Sequence, residues 1–135
     1  MNRYKVIDHP SDIGIEAFGK DQKELFENAA YGMMEIMFGN PDEKILGEAY
    51  NIKVSADNLE SLMIAWLSEL LYIVDSKKVS LWSLKINELT DKQLEASVLG
   101  GKINKVAAFI KAATYNQLEI KKEKNGFKAR IIFDV

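Results

Sequence analysis

Apolar residues recur at helical spacing in two stretches of the chain. The first follows Asp21 and Glu24, which have the three-residue spacing of a capping box, and it stops at Gly39. This pattern predicts a helix from residue 22 to residue 38. The second stretch carries a wider apolar stripe and predicts a helix from residue 58 to residue 75. Because its stripe is wider, we expect the second helix to be the core helix beneath the sheet.

Most of the remaining apolar residues alternate with polar ones, as is typical of strands. Strands are predicted over residues 13–18, 50–54, 81–89, 94–99, 109–115, 118–122 and 127–133. Asn125-Gly126 predicts a tight hairpin between the last two, whereas Gly100-Gly101 is expected to break the chain. The helices come early and the strands late. The pattern therefore predicts an α+β fold: a single domain over residues 1–135, with a mostly antiparallel sheet and two main helices packed on it.

Composition excludes several classes of site. The chain has 135 residues, no cysteine and one histidine, so disulfides, cysteine–metal sites and polyhistidine sites are excluded. Its net charge of −2 argues against a nucleic-acid groove as the main function, and no DNA partner is expected. No segment approaches the roughly 20 apolar residues of a membrane span. We therefore expect a cytoplasmic protein with no membrane partner.

An acidic loop precedes the first strong strand. It reads Asp8-His9-Pro10-Ser11-Asp12, and such polar residues most often form a turn through side-chain bonds to the backbone. The functional alternative is a loop that presents Asp12, with Asp8, as oxygen ligands or acid–base groups. His9 is the only imidazole, and a lone histidine is more often structural than catalytic.

The chain stops inside its last predicted strand, at Asp134 and Val135. A side-chain carboxylate and the terminal carboxylate are therefore neighbours, and like charges about 4 Å apart cost roughly 4 kcal/mol at an effective dielectric near 20. A cation or a basic side chain is the expected remedy. Lys111, within the predicted strand that ends in Thr114-Tyr115, either points to solvent, as lysines usually do, or faces these carboxylates.

A basic cluster surrounds the last predicted hairpin and consists of Lys121, Lys122, Lys124 and Lys128. Lysines on hairpins and edge strands usually discourage aggregation, and that interpretation is preferred. A contact with an acidic partner or with RNA is the alternative.

Three segments together resemble the archease family. They are the acidic loop with the strand and helix start that follow it (residues 8–19 and 24–30), the Lys111–Tyr115 segment, and the ending from Ala129 to Val135. The resemblance covers the chain from its beginning to its end. It implies that Asp12, Asp134 and Val135 bind a metal, calcium or another hard divalent cation, and that Lys111 is a functional residue. It also places Asp8 and His9 near that site.

The same resemblance implies a protein cofactor rather than an enzyme. Archease proteins assist the GTP-dependent RNA ligase of the RtcB type in tRNA splicing and RNA repair, by promoting guanylylation of the ligase's own histidine and so supporting multiple turnover. tRNA would be reached only indirectly, through the ligase. One alternative is a chaperone-like modulator of a tRNA-modifying enzyme such as a tRNA methyltransferase. Another is a stand-alone metal hydrolase, although no nucleophile or base accompanies the proposed ligands.

Overall fold

The structure is a computed structural model that describes residues 2–8, 12–40 and 46–135. Helix α1 spans Gln22–Phe38 and helix α2 spans Leu59–Lys77. The described part of the chain also forms seven strands: β1 Tyr4–Asp8, β2 Ile13–Gly19, β3 Leu46–Ser55, β4 Ser80–Leu89, β5 Gln93–Gly101, β6 Ala112–Glu123 and β7 Gly126–Asp134. The α+β class and the first helix are confirmed, and the second helix ends two residues later than predicted.

The strands divide between two antiparallel sheets. One has the order β1-β2-β7-β6 and the other the order β3-β5-β4. We call them the four-stranded sheet and the three-stranded sheet. In the four-stranded sheet the last strand pairs with the early strand β2, so the two ends of the described chain share one sheet.

Both helices contact strands of both sheets, which unites the molecule around one core. α1 packs mainly on β2 and β4, and α2 mainly on β6 and β3. The indole N–H of Trp66, which is fully buried on α2, donates to the carbonyl oxygen of Phe26 on α1 at 2.9 Å. This bond ties the helices together where water is excluded.

The expectation that the second helix is the core helix is wrong. α1 buries ten residues and α2 only six, although α2 is the more apolar in sequence. The apolar stripe of α2 is itself buried, with Leu62, Met63 and Trp66 at 0% exposure, but α1 buries more residues because strands of both sheets pack closely on it. Apolar content alone therefore does not show which helix buries more residues.

The N-terminal strand β1 was not predicted from sequence. It is a short edge strand beside β2. Its apolar residues are not all buried, since Val6 is 55% exposed, so burial does not follow the apolar pattern of its sequence. Its place is set by Tyr4, whose ring lies so close to α1 that a Cβ at Gly32 would be 2.9 Å from it. The Tyr4 hydroxyl donates to Glu35 at 2.7 Å.

The two strands predicted over residues 109–115 and 118–122 are one strand, β6. Its register against β7 jumps between Thr114 and Glu119, and Gln117 has a φ of 55°. The Thr114 hydroxyl donates to the carbonyl oxygen of Ile132 and accepts from the N–H of Asn116, which closes the bulge and lets pairing resume. Lys111 lies just before β6 rather than within a strand.

Two glycines expected to break the chain instead end a strand. Gly100 and Gly101 lie in β5, opposite β4 and β3. A Cβ at Gly100 would be 2.9 Å from the ring of Tyr50, so a small residue is needed for close cross-strand packing. The Asn125-Gly126 hairpin is confirmed, with Glu123 paired to Gly126.

Candidate metal-binding edge

The pairing of β2 with β7 brings Asp12, which immediately precedes β2, near the end of the chain. Ile13 lies opposite Phe133, and the same register carried one residue further places Asp12 opposite Asp134. On the other side of β7, Ala112 pairs with Asp134. We call this end of the four-stranded sheet, with Asp12, Asp134, Val135 and Lys111, the acidic edge.

Alternation along the strands puts the two carboxylates on one face. Ile131 and Phe133 point into the core and are fully buried, whereas Asp134 is exposed. Asp12 is half-buried and occupies the equivalent position beside β2. Both side chains therefore belong to the outer face of the sheet, away from the helices.

Lys111 reaches the edge through its backbone. Its N–H donates to the carbonyl oxygen of Asp134 at 2.7 Å, which fixes the segment before β6 against the end of β7. Its side chain is exposed and, over residues 2–8, 12–40 and 46–135, makes no ion pair within 4.0 Å. The structure thus brings Lys111 to the edge without pairing its ammonium group with either carboxylate.

The donor set at the edge suits a hard cation. Where the structure describes the chain, it contains no group of three or more His, Cys, Asp or Glu side chains that could hold a metal ion. The edge supplies two side-chain carboxylates, and Val135 adds main-chain oxygen. An all-oxygen set of this size fits calcium or magnesium, which complete their shells with water, and it does not fit a thiophilic metal.

The remaining residues predicted for the site are only partly covered. His9, Pro10 and Ser11 lie outside the described residues. The backbone of Asp8 ends β1 and pairs with Ile13, so Asp8 lies on the strand adjacent to the start of β2.

The outer face next to the edge carries a buried carboxylate that sequence reasoning missed. Glu16 is 8% exposed. Its carboxylate forms ion pairs with Lys5 at 3.1 Å, Lys128 at 3.7 Å and Arg130 at 4.0 Å. Burial by itself raises the pKa of Glu16, but the hydrogen bond from Lys5 and the three cations outweigh it, so the pKa is lowered. The group stays charged and links β1, β2 and β7.

Three exposed apolar side chains lie on the segments that lead to the edge or away from it. Phe109, two residues before Lys111, is 79% exposed, and Tyr115 on the β6 bulge is 62% exposed. Val135 is 39% exposed. Sequence reasoning treated Tyr115 as an ordinary strand residue, because the bulge that turns it outward depends on contacts with β7.

Comparison with known proteins agrees with this architecture. The model of the Archease protein family (MTH1598/TM1083) matches residues 4–135. The protein archease of Methanosarcina barkeri is 37% identical over 142 residues, which cover 98% of this chain and 96% of that protein. None of the helices in the described residues is both long and apolar enough to cross a membrane.

Solved structures share the fold. The solution structure of protein 1598 of Methanobacterium thermoautotrophicum is 31% identical, with full coverage of both chains and a TM-score of 0.82. The crystal structure of an archease from Thermotoga maritima, described as a possible chaperone, is 23% identical with a TM-score of 0.69. It covers 97% of this chain and 96% of that one. At that identity the likeness concerns the fold alone.

Proposed function

The chain belongs to the archease family, and we propose that it is a non-enzymatic, cytoplasmic protein that activates a GTP-dependent RNA ligase of the RtcB type. In this proposal it promotes guanylylation of the ligase's histidine and so restores the ligase for further turnovers. It acts through a hard divalent cation, calcium in the first instance, bound at the acidic edge by Asp12, Asp134 and Val135.

One observation supports this proposal: Ile13 of β2 lies opposite Phe133 of β7, which brings the adjoining Asp12 and Asp134 to the same end of the sheet. Two carboxylates held opposite each other repel, and a bound cation removes that repulsion. Asp134 ends β7 and Asp12 immediately precedes β2, so the pairing of these two strands brings both acids to one end of the sheet before any partner binds.

The surrounding residues have separate roles in this proposal. Asp12 and Asp134 hold the cation, which supplies positive charge for organising phosphate groups in the ligase. The backbone bond from Lys111 to Asp134 keeps the edge in place, and the exposed Lys111 ammonium group is free to contact an anionic group of the partner. The protein itself transfers no group in this scheme.

A ligation assay with the cognate ligase tests the proposal. Under multiple turnover the wild-type protein should increase product well beyond one equivalent per ligase, and Asp134→Asn should remove the increase. Asp91→Asn, in an exposed turn of the three-stranded sheet, is the matched control and should stimulate like wild type. Single-turnover ligation by pre-guanylylated ligase in the same buffer checks that the ligase itself is active. Full stimulation by Asp134→Asn would reject the mechanism.

A second candidate is a chaperone-like modulator of a tRNA-modifying enzyme. The exposed rings of Phe109 and Tyr115 favour it, because large apolar side chains on an ordered surface are typical of protein contacts. Such a role would not need the cation. The test is whether the Asp134→Asn variant protects a tRNA methyltransferase from heat inactivation. Protection equal to that given by the wild-type protein would support this candidate over the first.

A further inference from the structure

Three adjoining cavities lie at the end of the molecule opposite the acidic edge. Their volumes are about 390, 390 and 330 Å³. The first and second share Arg3, Glu27 and Asn28. The third lies beside the second, because a Cβ at Gly126 would collide with the carbonyl oxygen of Gly19 and touch Lys20. The second and third share no lining residue but adjoin where Gly126 packs against Gly19 and Lys20, and we call the three cavities together the basic groove.

Four cations from separate parts of the chain line this groove. They are Lys85 on β4, Arg3 before β1, Lys20 before α1 and Lys124 in the β6–β7 hairpin. For none of them does the described part of the chain offer a carboxylate within ion-pair distance. Their charges are therefore available to a ligand.

The acidic residues of the groove are already engaged. Glu24 accepts from the backbone N–H of Lys20 at 3.0 Å, and Glu27 accepts from the N–H of Ile86 at 2.9 Å. Glu123 pairs with Lys128 at 3.6 Å. The lining carries four cations and three carboxylates, and the charge of Glu123 is offset by Lys128, so the groove keeps a small net positive charge.

The groove also offers a surface on which a base can stack. The Arg3 guanidinium carbon lies 4.2 Å from the centre of the Tyr31 ring, and Tyr31 is braced edge-on by Trp82 at 6.0 Å. Guanidinium groups and aromatic rings are both surfaces on which unpaired bases stack. Ser83, which lines the same cavity, has a φ of 52°, an uncommon conformation for a serine and one that recurs at binding sites.

We propose that the basic groove binds a segment of single-stranded nucleic acid. Lys85, Lys20 and Lys124 contact successive phosphates, and one base stacks at Arg3. A row of cations that flanks a stacking surface is the usual design of sites for unpaired strands. An acidic peptide would use the cations, Arg3 included, but its carboxylates offer no planar base to stack on the guanidinium. The net charge of −2 concealed this groove, because the acidic residues of the chain lie mostly elsewhere or are already paired.

The inference is tested by measuring the affinity of the protein for a fluorescein-labelled oligouridylate of ten nucleotides by fluorescence anisotropy, with no ligase present. Three phosphate contacts predict a slope of log K against log salt of about −2, so affinity should fall about 20-fold between 50 and 200 mM salt. Lys85→Ala and Lys124→Ala should each reduce the steepness of the slope by about 0.7. Lys53→Ala, which removes a cation on the three-stranded sheet, should leave affinity and slope unchanged.

Arg3→Lys separates stacking from charge. It keeps the positive charge but loses the planar guanidinium, so affinity should fall on the order of tenfold with the salt slope unchanged. Polyglutamate of equal charge should compete only weakly.

Three results would overturn the inference: no binding at 50 mM salt, an Arg3→Lys variant that binds like wild type, or equal binding of polyglutamate. A wild-type protein that binds the oligonucleotide but fails to stimulate the ligase would reject the proposed function and leave this inference standing.

Discussion

Asp134→Asn should have opposite effects on stability with and without calcium. Directly opposed residues of antiparallel strands have Cβ atoms about 5 Å apart. Two charges at that distance repel by about 0.8 kcal/mol at the dielectric of water and about 3.3 kcal/mol at an effective dielectric of 20. Because Asp134 is exposed and Asp12 is half-buried, we take about 1 kcal/mol. The substitution should therefore stabilise the metal-free protein by that amount.

With calcium, wild type should become more stable than Asp134→Asn. At 100 times its dissociation constant, a ligand that binds only the folded state stabilises it by about 2.7 kcal/mol. For a domain of this size 1 kcal/mol corresponds to about 4 °C in Tm. Wild type should therefore gain about 10 °C with calcium. Asp134→Asn should start about 4 °C higher without the ion and gain little from it.

Differential scanning calorimetry in chelator and in excess calcium measures all four values. Asp91→Asn removes an exposed carboxylate elsewhere and should behave like wild type in both buffers. The reasoning would be refuted if Asp134→Asn lowered Tm in chelator, because the two carboxylates would then not repel each other. It would equally be refuted if the variant kept the full calcium gain.

Three further predictions concern the fold around the site. Gly19→Ala should destabilise the protein by at least 2 kcal/mol in urea unfolding, because a Cβ there would lie 2.8 Å or less from backbone atoms that cannot move aside. The control Gly47→Ala should be nearly neutral, because no atom lies closer than 3.9 Å to a Cβ at that position. Glu16→Gln should lower stability at pH 7. Because the folded-state pKa of Glu16 is lowered, wild type should lose this advantage as the pH falls below the ordinary glutamate pKa of 4.5, and equal losses at pH 7 and pH 3 would contradict the sign. Trp66→Phe should cost about 2–3 kcal/mol because it removes the buried hydrogen bond to Phe26 and leaves a cavity where the larger indole packed, and an unchanged urea midpoint would exclude that role.

Local patterns predicted the elements that local interactions decide. The start of α1 follows from Asp21, whose side chain accepts from the N–H of Glu24 at 2.9 Å, and its end follows from Gly39 with a φ of 70°. The last hairpin follows from Asn125-Gly126. In each case the residues that carry the pattern also make the bonds.

Elements that depend on distant partners could not be predicted in this way. β1 is held by its pairing with β2 and by the ring of its own Tyr4, which packs against Gly32 on α1. β6 stays one strand because the Thr114 hydroxyl reaches the carbonyl oxygen of Ile132 on β7. The division into two sheets follows from which strands pair, and alternation alone does not specify partners.

The acidic edge and the basic groove differ in how much of each could be predicted from the sequence. The acidic edge was expected because its motifs match a family, although only the pairing of β2 with β7 shows that Asp12 and Asp134 adjoin opposed residues, Ile13 and Phe133. The basic groove has no sequence motif at all. Its cations come from four separate segments, and the lysine cluster seen in sequence includes only Lys124 among them. Lys128, of the same cluster, is instead held in ion pairs with Glu16 and Glu123.

The length of β7 separates the two surfaces and makes them independent. The strand has nine residues, so its ends are about 27 Å apart at 3.4 Å per residue. That distance is several times the roughly 8 Å over which exposed charges interact at physiological salt. A cation at the acidic edge therefore cannot strengthen binding in the basic groove through its charge. If calcium does change oligonucleotide affinity, the coupling must pass through a change in the fold, and the paired strands between the two ends, anchored by Glu16, are where such a change would have to occur.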